Sequence, residues 1–154
     1  MKVCLGVVLI SIAVCVSCNV PPQSSKTNEN EAIAESVFRY QLEQVASKNA
    51  QRYFLSLGDR KDPTDTFMRR FDGYPRPVKR YSESIYQNGR VTEKATGQSG
   101  IQLQVTSIKW VGRFEIEVEV FWLAGREDFV NQRLQVYKEN GIWSVKSVKE
   151  TLVP

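Results

Sequence analysis

The chain has 154 residues, and 21 Lys and Arg against 17 Asp and Glu leave a formal charge of only +4, so one hydrophobic core is expected rather than two. It contains no histidine, which removes Ser-His-Asp and Cys-His triads, histidine zinc sites and histidine general bases together. Any catalysis must come from carboxylates, Tyr, Lys or Ser.

Of residues 1–18, 14 belong to the hydrophobic class, and Lys2 is the only charged side chain. Residues 3–16 are apolar or weakly polar and follow Lys2, which is the layout of a secretory signal. A bilayer core takes roughly 20 apolar residues to cross. Here Ser17, Cys18, Asn19 and the Pro21-Pro22 pair follow at once, so a signal over residues 1–17 is expected ahead of a retained membrane helix. All three cysteines, Cys4, Cys15 and Cys18, lie in this segment, and the remainder of the chain has none for a disulfide. Cys15-Val16-Ser17-Cys18 has C-x-x-C spacing, but an apolar signal offers no fold to hold a metal or tune a thiolate.

The same four residues resemble the lipobox of bacterial lipoproteins, in which small residues precede a cysteine that receives a diacylglycerol. Val16, Ser17 and Cys18 fit it; Cys15 stands where that family usually has Leu. The resemblance implies lipid attachment at Cys18 and a place in the cell envelope. Asn19, instead of the Asp that marks inner-membrane retention, points to the periplasmic face of the outer membrane. Simple secretion after Ser17 is the alternative. Residues 19–30 are polar with only Val20 to bury, so residues 18–30 are expected to form a lipidated cysteine and disordered tether. The multiple acyl chains of a mature lipoprotein would hold it firmly.

A single folded domain is expected over residues 31–154. Ile33, Val37, Phe38, Leu42, Val45 and Ala46 recur at helical spacing, and Ala50, Tyr53, Phe54 and Leu57 extend the stripe to a stop at Gly58. Asp62-Pro63-Thr64-Asp65 reads as a second, short helix start with Asp62 as N-cap; Phe67, Met68 and Phe71 share its face. After Pro77 the period becomes two. Residues 78–86 read as a strand, Asn88-Gly89 as a turn, and residues 92–100 as a polar loop. Ile101, Leu103 and Val105 alternate, then Ile108 and Trp110 alternate in the opposite phase, so a bulge is expected at Thr106-Ser107. Phe114, Ile116, Val118, Val120 and Trp122 face one way, with Glu115, Glu117 and Glu119 opposite. Residues 132–138 and 142–149 form a last hairpin around Glu139-Asn140-Gly141.

The expected fold class is therefore α+β: a long N-terminal helix and a short second helix packed on a curved antiparallel sheet of about five strands. The bent strand over residues 101–111, the strand over residues 113–123 and the closing Val136-Tyr137-Lys138-Glu139-Asn140-Gly141-Ile142-Trp143-Ser144-Val145 resemble the cystatin-like and nuclear transport factor 2-like rolls. The segment from Asp62 to Phe71 is similar to one in exported bacterial proteins without an assigned activity. Some enzymes of that superfamily, resembling ketosteroid isomerase and scytalone dehydratase, hold an Asp, Tyr or His in the cone between helix and sheet, where burial would raise a carboxyl pKa. Here the inward strand face has no ionisable group, and Tyr40, Tyr53 or Tyr137 would need an unidentified acid. The glutamates opposite read as a solvated ladder facing Arg133, Lys146 or Lys149. Cystatin-type protease inhibition would need a Q-x-V-x-G loop, which Gln104-Val105-Thr106 does not supply.

Trp110, Trp122, Trp143 and Tyr53 are the candidate pocket-lining residues. Arg69, Arg70, Arg76, Lys79 and Arg80, interleaved with Phe71, Tyr74 and Tyr81, form a candidate basic docking patch; for an exported protein its polyanions are lipid phosphates, cell-wall polymers and acidic proteins rather than nucleic acid. No metal, phosphate-loop or dinucleotide motif is present, and no cofactor is expected. The reading is a membrane-tethered exported binding or scaffold domain without evident catalysis, its partner an apolar small molecule or an envelope protein. A small cone-pocket isomerase, dehydratase or hydrolase and a structural envelope subunit are the alternatives.

Overall fold

A computed structural model describes residues 23–46 and 48–151; Cys18 and the signal and acylation expectations lie outside them. No helix among the described residues is long and apolar enough to cross a membrane. The architecture is α+β, with one long helix, one short helix and an open, mostly antiparallel mixed sheet of eight strands.

Helix α1 (Gln23–Gln44) buries Ile33, Ala34, Val37, Phe38 and Leu42. That is the expected stripe, although Ala46 beyond it is exposed. The helix starts at Gln23 rather than Glu31, so residues 23–30, expected as part of the tether, are helical here. Extending an existing helix fixes one residue per hydrogen bond gained, so a polar segment can join it cheaply. Side chains then tie it to the sheet: Lys138 Nζ donates to Glu29 at 2.6 Å, and Trp110 Nε1 donates to Asn30 at 3.3 Å.

Strand β1 (Arg52–Leu57) stands where the sequence suggested more helix. Tyr53, Phe54, Leu55 and Ser56 are all buried, so both faces of the strand are covered, as in an interior parallel strand. Helix α2 (Asp65–Met68) and the 3₁₀ turn after it (Arg69–Phe71) form the crossover to β2 (Val78–Arg80), which pairs with β1 in parallel. The N-cap of α2 is Thr64, whose Oγ1 accepts from the Phe67 N–H at 3.2 Å; Asp62, the expected cap, accepts from the Ser82 N–H at 2.8 Å. Asp62 thus ties the entry to α2 to the segment after β2.

The expected strand over residues 78–86 is broken by a 3₁₀ turn, Tyr81–Glu83, before β3 (Ser84–Gln87). Asn88 and Gly89 have φ of 53° and 74°, the left-handed pair of a type I′ hairpin turn, and β4 (Arg90–Glu93) returns from it. Part of the expected loop over residues 92–100 is therefore strand. β5 (Gly100–Trp110) runs parallel to β1 and antiparallel to β6 (Glu115–Gly125), with a register shift between Val105 and Ser107 where the bulge was expected. β7 (Asp128–Glu139) and β8 (Ile142–Thr151) complete the meander through Asn140 and Gly141, at φ 51° and 82°.

The continuous sheet runs β2-β1-β5-β6-β7-β8, so eight strands with two parallel pairings replace the expected five antiparallel ones. The β3–β4 hairpin joins through Arg90 opposite Gly125 and Thr92 opposite Ser99. α1 covers the inner face, built from Tyr53, Leu55, Leu103, Val118, Val120 and Leu134 among others. Phe67 and Phe71 close on Phe38 with ring centroids 6.0 and 6.3 Å away, at steep interplanar angles, the edge-to-face geometry that aromatic quadrupoles favour. Under the middle of α1 the space between helix and sheet is thus filled by side chains, while near the start of the helix a cleft of about 430 Å³ stays open between Thr27, Asn30 and Glu31 and the strand residues Leu57, Val105 and Ile108.

Candidate functional site

The expected pocket walls do not share a pocket. Trp110 and Trp143 meet edge to face at 5.5 Å, Trp143 buried and Trp110 at 37 % exposure. Trp122 lies elsewhere, with Lys48 Nζ 4.6 Å above its ring. Tyr53 is buried, its hydroxyl accepting from Arg76 Nη1 at 2.9 Å. Phe114, expected inward with Trp122, precedes β6 and is 53 % exposed.

The candidate basic patch is largely paired. Arg70 reaches Glu31 at 2.8 Å and Glu35 at 3.1 Å, Arg80 pairs with Asp65, and Lys79 pairs with Glu83 and Glu93. Arg76 donates to the Lys48 carbonyl and the Tyr53 hydroxyl, and Arg69 to Thr66 Oγ1. These contacts tie α2 to α1 and to β2, so the cluster has a structural use beside any docking one.

The acidic face of β6 forms the expected ladder. Glu117 pairs with Lys149, and Glu119 accepts from Arg133 at 2.9 Å and Ser107 at 3.2 Å. Those cationic partners hold both carboxyls below their usual range. Glu115 accepts from the Tyr137 hydroxyl at 2.8 Å, which raises that phenol. Lys146, also expected opposite β6, reaches Glu139.

Two features of the outer face were missed. The first is Glu93, whose side chain is 1 % exposed. It accepts from Thr96 Oγ1 and pairs with Lys79 and with Arg52, whose Nε lies 2.9 Å from Oε2. The Arg52 Nε–H does not point along that contact, so through this atom the attraction is ionic. The Lys79 hydrogen bond first, then Thr96, hold the Glu93 carboxyl below its usual range, and the same pair raises Lys79. The turn signal at Asn88-Gly89 could have found this residue: a hairpin turn demands a returning strand, and Val91 and Glu93 are its buried positions.

The second is a cleft of about 610 Å³ between the hairpin and the outer face of β5 and β6. Gln102 and Gln104 form its floor beside Phe121 and Leu123; they alternate along β5 with the inward Ile101, Leu103 and Val105. Tyr81, Ser84, Ile85 and Tyr86 form the wall, and Asp59, Arg60 and Lys94 stand at the mouth. Gln102 Nε2 donates to Ser84 Oγ at 2.9 Å, and Ser84 Oγ donates to the Tyr81 carbonyl at 2.7 Å. Gln104 is only 8 % exposed, yet its carboxamide has no hydrogen-bond partner among the described residues and opens into the cleft.

The chemistry offered is neutral and directional: amide donors and acceptors on an apolar floor, edged by aromatic rings. The Ser84 hydroxyl is engaged by an amide and a carbonyl, without a hydrogen-bonded base to make it a nucleophile. Among the described residues no group of three His, Cys, Asp or Glu is placed to hold a metal ion. In comparisons with known proteins the chain matches no family model, no curated protein and no solved structure.

Proposed function

We propose that the chain is an exported binding domain, tethered to the envelope through acylated Cys18, that takes its ligand in the outer-face cleft. The observation that carries this is the Gln104 carboxamide, which stands on the floor of the cleft, bonds no protein group among the described residues and keeps its polar atoms open to solvent there. A carboxamide held in place by a strand and free of protein partners offers a ligand one donor pair and one acceptor without any protein bond having to break. The long helix and the bulged meander from β5 to β8 support a roll of the cystatin-like and nuclear transport factor 2-like kind. In such rolls the cone between helix and sheet is the usual site; here Phe38, Phe67 and Phe71 fill the space under the middle of the helix, and the cleft left near its start has no buried polar side chain on its floor among the described residues. Binding therefore moves to the opposite face of the sheet.

Gln104→Met tests the site without knowledge of the ligand. A thioether of similar length replaces an amide that bonds no described protein group, so the variant should stay within about 0.5 kcal/mol of the wild type in urea unfolding. A loss of more than 1 kcal/mol would show that Gln104 serves the fold, and the cleft would lose its claim. For the tether, Cys18→Ala should abolish incorporation of labelled palmitate and release the body in soluble form; unchanged membrane retention would speak for an uncleaved helix.

A further inference from the structure

We infer that the cleft receives a short extended segment of a partner protein, uncharged along its length and acidic at one end, which adds as a strand to the free edge of β3. The inference rests on the cleft being the ligand site and names what fills it. Among the described strands β3 pairs only with β4. The Lys94 N–H donates to the Glu83 carbonyl at 2.9 Å, which sets the alternation of the ladder: Ile85 opposite Thr92 and Gln87 opposite Arg90 exchange main-chain bonds. Antiparallel pairing turns successive residues to opposite sides, so the Tyr86 N–H and C=O point away from β4, toward the open edge.

The sheet's other edges are guarded. β8 carries Lys146 and Lys149, and β2 is a three-residue strand holding Lys79 and Arg80, the charged or short edges that discourage strand addition. β3 reads Ser84-Ile85-Tyr86-Gln87, without a charge, and its Ile85 and Tyr86 are 39 % and 44 % exposed. An uncharged free edge therefore borders a cleft whose floor holds an unpaired carboxamide. An extended peptide meets both needs, since its main chain pairs with the edge while a peptide or side-chain amide reaches Gln104. Arg60 and Lys94 outnumber Asp59 at the mouth, which places the acidic residue of the segment there.

The full chain, isotope-labelled and held in detergent micelles, is titrated with a pool of capped hexapeptides randomised over Thr, Val, Tyr and Asn with Asp at one end, and separately with a disaccharide of N-acetylated amino sugars. The pool should slow hydrogen exchange at the Tyr86 amide about tenfold or more and move the Gln104 side-chain amide resonances. Tyr86→Pro removes the outward donor while sparing the bonds to β4, and it should abolish the response to the pool. Protection that appears on β8 instead, or none at Tyr86, overturns the inference. If the disaccharide alone moves Gln104, the cleft stands as the site and strand addition falls. If neither probe moves Gln104 and Gln104→Met destabilises the protein, both readings fall.

Discussion

The two faces of the sheet solve burial in opposite ways. The inner face is apolar but for Gln41 of α1, which donates to the Phe121 carbonyl at 3.3 Å and leaves its Oε1 buried without a partner among the described residues; elsewhere α1 lays Ile33, Val37, Phe38 and Leu42 on aliphatic strand positions, and stability follows from area and packing. The outer face is covered only in part, by the β3–β4 hairpin, and beside Val91 what is buried there is polar: Ser84, Glu93, Gln102 and Gln104. A buried polar group is tolerated when it has a partner. Glu93 is enclosed with its partners, whereas the Gln104 carboxamide bonds no protein group among the described residues and stays open to solvent in the cleft, and this contrast separates a structural site from a binding site within one surface.

The largest expected effect breaks the inner face. Phe38 is fully buried and touches both Phe67 and Phe71 edge to face. Phe38→Ala should cost about 3–5 kcal/mol in urea unfolding, with the loss read from a lower midpoint at unchanged slope. A cost below about 1.5 kcal/mol would mean that the space beneath α1 is loosely filled, and the cone would return as a candidate site.

The next effect separates the polar half of the outer face from the apolar inner face. Glu93→Gln keeps the shape but leaves Lys79 and Arg52 facing a neutral group, so stability should fall by less than in Phe38→Ala and by more than in an exposed pair. The pH dependence carries a sign. The folded carboxyl of Glu93 is lowered relative to the unfolded chain, so its contribution is complete above the unfolded value near ~4.3 and disappears as pH falls through the folded one. Lys79 is raised; its contribution is complete below the unfolded lysine value of about 10.4 and is lost above it. The wild type should therefore lose its advantage over Glu93→Gln as the medium is acidified below pH ~4. An advantage that persists at pH 2 would show that the ion pairs do not set the stability of this region.

The same division explains what was legible in the sequence. The α1 stripe, the alternation of β6, the bulge in β5 and both Asn-Gly turns are written in local spacing and turn chemistry, and they appear where expected. β1 was not legible, because Tyr53-Phe54-Leu55-Ser56-Leu57 is a short apolar run that fits a helix stripe as well as a strand buried on both faces. Pairing with β2 and β5, distant in sequence, decides between them. The cleft was illegible for a related reason: Gln102 and Gln104 have the pattern of a solvent-facing side, and only the hairpin folded across them makes that side an interior. The tryptophans drew attention by type, but Trp143 and Trp122 are spent on packing and ring contacts.

The smallest expected effect concerns the uncovered half of the outer face. Glu119 and Glu93 are the same residue type on the same side of the sheet, and both have lowered carboxyls. Glu119 is 37 % exposed and its partner Arg133 31 % exposed, so water screens the attraction and the pair gains little over separately hydrated charges. Glu119→Gln should cost about 0–1 kcal/mol, and less in high salt. Its lowered pKa gives it the same sign as Glu93, a contribution complete above the unfolded carboxyl value and lost on acidification, but with far smaller amplitude. Urea unfolding of the two variants at neutral and acidic pH compares them directly. If Glu119→Gln matched Glu93→Gln in cost and acid response, the hairpin's cover would not be what distinguishes these carboxylates, and the division of the outer face into a buried polar half and a solvated ladder would be lost.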